Sequence, residues 1–493
     1  MAPETMLILT LLVPLAAVIG IVSLGHSPNL REAASLTAGL VLIYLTVNLY
    51  RLTAAGIVVS WEGLQILPGL SLLFSIEPLG MLFSLIASFL WLLTTLYSIG
   101  YMRGHQEENQ TRFYVCFAVA ISSVMGISYA GNLFTLFIFY EILTLSTYPL
   151  VTHAGSEKAK LGGRVYLGIL LTTSILFLLL AIIGTWYTTG TVDFQAGGVF
   201  DQSQKFAAAV LLPLYVFGIG KAAIMPFHRW LPAAMVAPTP VSALLHAVAV
   251  VKAGVFSVLK VCTYVFGFDI LRQLPTTDFL LYLAGASVII ASLVAMKQDN
   301  LKARLAYSTV SQLSYITVGA LLANSAGALG GAMHIGMHAF GKITLFFCAG
   351  AIMVASHKTE ISDMHGLGRR MPVTMAAFFI GSLSIIGLPP CGGTWSKWYL
   401  MIGTIEADKL ILMVVLMASS LLNIAYLLPI PIKGFLYSDP DDADSKSVIR
   451  EAPLPSLAAL CLTAAGCIVL FIYPQPLYEL GTHFLEAAGV HGR

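Results

Sequence analysis

Lys221-Ala-Ala-Ile-Met-Pro226-Phe-His-Arg-Trp-Leu-Pro232 places a lysine and two prolines inside an otherwise apolar run, and the pattern returns at Gly387-Leu-Pro389-Pro390-Cys-Gly-Gly-Thr-Trp-Ser-Lys397. Proline removes a backbone donor and clashes with the preceding turn, so a helix passing through either stretch must open there. Around both points the chain is hydrophobic. Of 493 residues, 58% are hydrophobic and 10% charged, where a soluble domain carries about 25% charged. Apolar runs recur from end to end with the length of about 20 residues that a helix needs to cross a hydrocarbon core. Only helices and closed barrels satisfy their backbone in lipid, and runs without alternation exclude the barrel. The sequence predicts an all-α membrane protein.

Spans are expected at roughly 5–24, 32–50, 78–100, 112–130, 133–151, 163–187, 206–227, 239–265, 276–296, 303–323, 327–355, 371–404, 410–432 and 455–474. Loop charge tests this division, because Lys and Arg gather on the cytoplasmic side. Assigned by parity, one side receives about sixteen basic residues, from Arg31 to Arg450, and the other about five: Arg51, Lys205, Arg272, Lys409 and Arg493. A wrong span would scramble the bias downstream of the error. Fourteen spans with both termini outside the cytoplasm are therefore expected, and the two interrupted ones are the seventh and twelfth. Interrupted spans in matching places of two halves are the pattern of repeat-built transporters, whose ion sites lie at the breaks.

The net charge of +2 and the lack of basic clusters interleaved with aromatics argue against nucleic acid. Six scattered cysteines form no CxxC pair, which excludes a disulfide framework, a zinc site or an iron–sulfur cluster as the reading, and no cofactor is expected. The first run, Thr5 to Leu24, has neither a basic leader nor a small-residue cleavage site and reads as a retained helix. The acidic stretch Asp439 to Asp444 reads as solvated loop.

Five of the 26 basic residues belong to no loop: Lys221, Lys252, Lys260, Lys342 and Lys397. A charge at the centre of a span costs about 2.5–3.5 kcal/mol on insertion scales, so such residues face the bundle interior, a partner or a water path. Glu141 is the clearest acid at membrane depth. Five lysines cannot all pair with one glutamate. Moving a proton on one partner of a close pair alters the other's hold on its own, which is a minimal device for stepwise proton transfer. Lys260, near a span end, also fits snorkelling to the interface. His246 and Lys252 are six apart, joinable through water, whereas His334 and His338 share a face with Lys342 one turn further on. Ser308, Ser311, Gln312 and Ser314 of the tenth span could hold water between the halves.

The block from Gly220 to Pro232 with Ala237-Pro-Thr-Pro-Val-Ser-Ala-Leu-Leu-His246, the stretch Asp299-Asn-Leu-Lys-Ala-Arg-Leu-Ala-Tyr-Ser308, and Gly387 to Lys397 together resemble the proton-conducting antiporter-like family. That family holds the large membrane subunits of complex I, the A-type and D-type subunits of Mrp cation/proton antiporters, and relatives in membrane-bound hydrogenases. The resemblance covers nearly the whole chain. It implies that Glu141 and Lys221 form a coupled pair, that Lys252 beside His246 is the connecting lysine, and that Lys397 is the terminal carrier. It also implies two inverted five-helix repeats, here 112–265 and 276–432, and a place among other membrane subunits in a cell (inner) membrane.

Two departures refine this reading. Ala233 stands where an acidic or amide residue usually follows Trp-Leu-Pro, and Lys397 stands where some relatives carry glutamate. The chain also ends soon after its fourteenth span, without the lateral arm or extra domain of the largest relatives. A D-type Mrp antiporter subunit moving protons, with sodium as a second candidate ion, is the leading expectation. The alternative is a pumping subunit of an NADH:quinone oxidoreductase or hydrogenase, with redox chemistry in its partners. A stand-alone carrier of an organic solute would instead need a roomy midplane pocket, and in a scaffold the buried lysines would be replaceable.

Overall fold

Eleven helices among the described residues are long and apolar enough to cross a membrane: Pro3–Ser23, Pro28–Ala54, Pro78–Gly104, Gln110–Ser128, Leu133–Val151, Glu157–Thr189, Thr239–Phe266, Pro275–Lys297, Ser325–Ser356, Leu410–Leu436 and Leu454–Ile472. The computed structural model describes residues 2–67, 70–437 and 449–490. Leu301–Leu321 is a further 21-residue helix, with Lys302 and Arg304 in its first turn. The seventh and twelfth spans are interrupted: Lys205–Gly218 continues irregularly to 236, and Pro372–Ile386 resumes as Gly393–Glu406. The chain is thus an all-α membrane protein whose fourteen spans follow the expected order. Asp439 to Asp444, Lys446 and Arg493 lie outside the described residues.

Local chemistry sets several span starts. Asn132, Asn300 and Asn324 each accept the backbone N–H three residues on, at 2.8, 3.1 and 2.8 Å. Such caps satisfy donors that a helix start leaves open, and they fix the beginnings of the fifth, tenth and eleventh spans. The eighth span lies at the centre of the bundle, with every residue of its most apolar window buried. It contains two π-helical turns, Leu244–Val248 and Cys262–Phe266.

Two elements add to the expected spans. The connection after the second span forms an antiparallel hairpin of β1, Ser60–Leu67, and β2, Leu70–Ser75. It docks on the end of the fourth span through Ser75 N donating to Tyr129 O at 2.7 Å and Gly131 N to Leu73 O at 2.8 Å. A short helix, Gln475–Ala487, follows the last span and packs on the third and eleventh.

Candidate functional site

Proline opens the seventh span between Gly218 and Trp230, and the freed backbone groups find partners elsewhere. Trp230 Nε1 donates to Gly220 O at 2.9 Å, and Lys221 N donates to the Tyr140 hydroxyl at 3.0 Å. The Lys221 side chain is fully buried. Its Nζ donates to Tyr140 O at 2.8 Å and to Thr144 Oγ1 at 2.5 Å, and lies 3.2 Å from the centre of the Tyr140 ring. Gly254 allows the eighth span to touch this break, since a Cβ there would stand 2.3 Å from Ala222 N.

Glu141 is not bonded to Lys221. Its Oε1 is buried without a hydrogen-bond partner. The reason is helical phase: Tyr140 and Thr144, four residues apart, share the face that meets Lys221, and Glu141 is turned about 100° from it. The two expected partners are thus neighbours through Tyr140.

The twelfth span opens differently. Gly387 ends its first half at φ +88°, a left-handed conformation that glycine adopts freely. Lys397 lies beyond the break and reaches back, so that its Nζ donates to Ile386 O at 3.1 Å and to Ser420 Oγ at 3.0 Å. A Cβ on Gly387 would stand 2.7 Å from Lys397 Cδ. The Tyr315 ring lies 4.7 Å from the same Nζ.

Between the breaks runs a contiguous set of polar side chains. Lys252 Nζ is 2.6 Å from His338 Nδ1. The His338 and His334 rings stack at 5.6 Å. His334 contacts Gln312 Oε1 through Nε2 at 3.1 Å and Ser396 Oγ through Nδ1 at 2.9 Å. Ser396 precedes Lys397, and Tyr315 stacks on His334 at 5.8 Å. Lys342 Nζ donates to Leu305 O at 3.2 Å. All of these side chains have 5% exposure or less. An imidazole can accept a proton at one nitrogen and donate from the other; His338 and His334 meet as stacked rings without a hydrogen bond, and His338 Nε2 is left free to take a bridging water.

The structure therefore brings Lys252, His334, His338 and Lys397 together, while His246 makes no direct hydrogen bond to Lys252 and packs its ring on Phe346 at 4.7 Å. Both His246 nitrogens are buried without a partner, while Lys252 turns to His338 rather than toward His246. Of the tenth-span residues, Gln312 joins the relay, Ser308 accepts from the Tyr426 hydroxyl at 2.9 Å and Ser311 pairs with Ser292 at 3.0 Å. Sequence reasoning misses Tyr140, Thr144, Tyr315, Ser396 and Ser420. Only Ser396, adjacent to Lys397, carries a local signal.

Lys260 does not snorkel. It is 1% exposed, ion-paired with Glu77, and donates to Ala130 O at 2.6 Å. Glu77, directly before Pro78, supplies at the span end an acid that the sequence alone pairs with no lysine.

Residues 130–423 match the family described as NADH:quinone oxidoreductase/Mrp antiporter, TM, and residues 69–114 match the N-terminus of NADH-ubiquinone oxidoreductase (complex I) chain 5. The chain is 31% identical to the N subunit of an NADH-quinone oxidoreductase of Desulforudis audaxviator, over 82% of each chain. It is 30% identical to the A/B subunit of a probable K(+)/H(+) antiporter of Rhizobium meliloti, over 96% of this chain and 47% of that one. It is 32% identical to chain 5 of a Synechocystis NAD(P)H-quinone oxidoreductase, over 65% and 48%. It thus spans most of the first relative and about half the length of the other two. Among solved structures, a chain of the Mrp complex from Dietzia sp. superposes with a TM-score of 0.86 at 22% identity, covering 99% of this chain and 98% of that one. A chain of an archaeal membrane-bound sulfane sulfur reductase superposes at 0.82, also with 22% identity, over 98% of each. These two share the fold. On the match over residues 130–423, which is more than half of its length, the chain belongs to the NADH:quinone oxidoreductase/Mrp antiporter transmembrane family.

Proposed function

We propose that the chain translocates protons across a cell membrane as an antiporter-like subunit of a multi-subunit complex. The observation that carries this reading is the buried contact series from Lys252 through His338, His334 and the Tyr315 ring to Lys397. Buried ionisable groups in spans mark ion and proton paths, and here they touch one another. Lys221 at the other break, reached from the eighth span at Gly254, extends the path toward Glu141.

Within the family we favour a D-type Mrp antiporter subunit. The near-complete two-way cover of a chain in an Mrp complex supports this reading. The likeness to an N-type subunit over 82% of each chain favours a second one, a pumping subunit of an NADH:quinone oxidoreductase, in which electron transfer belongs to other subunits. Purifying the intact complex separates the two: small Mrp-type membrane subunits accompany the first, iron–sulfur and flavin proteins the second. The positive bias of alternate loops supports termini on the non-cytoplasmic side.

The test of the function is proton and sodium flux in vesicles that hold the intact complex. Lys221→Ala and Glu141→Ala are expected to assemble and lose flux. Assembled variants that transport at the wild-type rate would overturn the proton-path reading.

A further inference from the structure

Lys397 is also the floor of a cavity that opens on the apolar outer surface of the bundle. About 300 Å³ lies between the twelfth and thirteenth spans, against the break at Ile386, Gly387 and Leu388. Trp398, Met417 and Leu421 stand at its mouth and are 55%, 51% and 66% exposed on the outer surface of the bundle. The walls are otherwise mostly apolar, with Met401, Leu416 and Ile424 among them beside Thr394 and Tyr315. At the inner end sit the Lys397 Nζ and the Ser420 hydroxyl, 3.0 Å apart.

A lysine head carries up to three N–H donors. Two point to Ile386 O and Ser420 Oγ, and the third has no acceptor among the described residues. Ligand sites are mostly apolar with a few placed polar groups, and this volume is at the small end of their range of about 300–1,000 Å³. That is room for one chain and too little for a two-chain lipid. An opening onto the bilayer admits what dissolves in the bilayer, and a basic group at the blind end selects an acidic head.

We propose that this cavity binds a single-chain anionic amphiphile, a long-chain carboxylate whose head pairs with Lys397 and Ser420 and whose tail runs out past Met417, Leu421 and Trp398. A carboxylate meeting the ammonium and a carboxylic acid meeting the neutral amine give the same ion pair. In the second case an O–H bond breaks as an N–H bond forms. The occupied site holds Lys397 in one charge state and stops it from passing protons. This consequence rests on the proposed proton path; the binding itself does not.

The test uses the intact complex in nanodiscs of neutral lipid, labelled with a photoreactive long-chain carboxylate and mapped by mass spectrometry, with no ion gradient present. Labels are expected on residues 386–401 and 416–424, displaced by oleate and not by oleyl alcohol. Leu421→Trp, which blocks the mouth and leaves Lys397 in place, is expected to weaken labelling roughly tenfold, about 1.4 kcal/mol, with ion flux retained. Equal displacement by the alcohol would show that no acidic head is recognised and would overturn the proposal. So would a Leu421→Cys variant that crosslinks to a neighbouring subunit while wild-type complex takes no label, because protein would then fill the cavity. A wild-type complex that takes the label yet moved no ions before labelling would leave this site standing and remove the proton path instead.

Discussion

The two interrupted spans carry the same ingredients, a proline-opened helix and a lysine, yet they hold their lysines in different ways. In the seventh span the lysine sits inside the break and bonds sideways, to a backbone carbonyl and a threonine of the fifth span. In the twelfth it sits past the break and bonds back to the carbonyl that the break set free. The first arrangement ties two helices together. The second also reaches a neighbouring span through Ser420, but its backbone acceptor belongs to its own span, and its other side faces the Tyr315 ring and, through that ring, His334. Equal sequence motifs can therefore give one lysine that is anchored laterally and one that is joined to a relay.

That contrast can be broken most directly with both lysines at once. If the breaks are two parts of one path, Lys221→Ala and Lys397→Ala each lower proton flux by about a hundredfold, a typical loss for a positioned proton-transfer group. The double variant then falls little further, because groups that act in series are non-additive. Flux in the double variant that is the product of the two single losses would mean the halves work independently.

Lys260 sharpens the comparison as a buried lysine held by a single acid. Glu77→Gln strands its charge and is expected to cost about 3–5 kcal/mol of stability, while Glu77→Gln with Lys260→Met recovers most of it. Thermal unfolding of the purified complex reads both. Destabilisation by Glu77→Gln that the second substitution does not relieve would place the role of Glu77 elsewhere.

The smallest effect separates the two anchors. Thr144→Val removes one of two acceptors from Lys221 and, through an unmade buried bond, costs about 1–3 kcal/mol. Ser420→Ala leaves Lys397 its Ile386 carbonyl and the Tyr315 ring, and the open cavity gives the Nζ room to adjust, so its stability cost is expected to be under half as large. Equal losses in denaturant melts would show that both lysines are held alike.

Much of this fold can be read because lipid imposes simple rules. Run length locates the spans, loop charge checks their number, and proline locates the breaks. The buried lysines emerge by elimination once the loops have claimed the other basic residues. What escapes has no signature of that kind. Glu77 sits at a span boundary, where an acid looks like any loop residue. Tyr140 and Thr144 lie about 80 residues before Lys221, and no local pattern says which face of the fifth span meets the break. The hairpin has a signal in Pro68-Gly69, a turn dipeptide between two short apolar runs. A search for spans passes over it because neither run is long enough to cross a bilayer.

The eighth span carries one π turn on each side of Lys252. A π turn holds one residue more than an α turn in a similar sweep, so the extra residue at 244–248 is taken up locally. Deleting one residue there would return the turn to α geometry and leave Lys252 facing His338. A one-residue deletion in the α stretch just before the lysine, at 250 or 251, would instead turn it by about 100° and off His338 with its side chain intact. For this helix the place of an insertion or deletion decides its consequence, and a comparison that scores only which residues are kept would not separate the two cases.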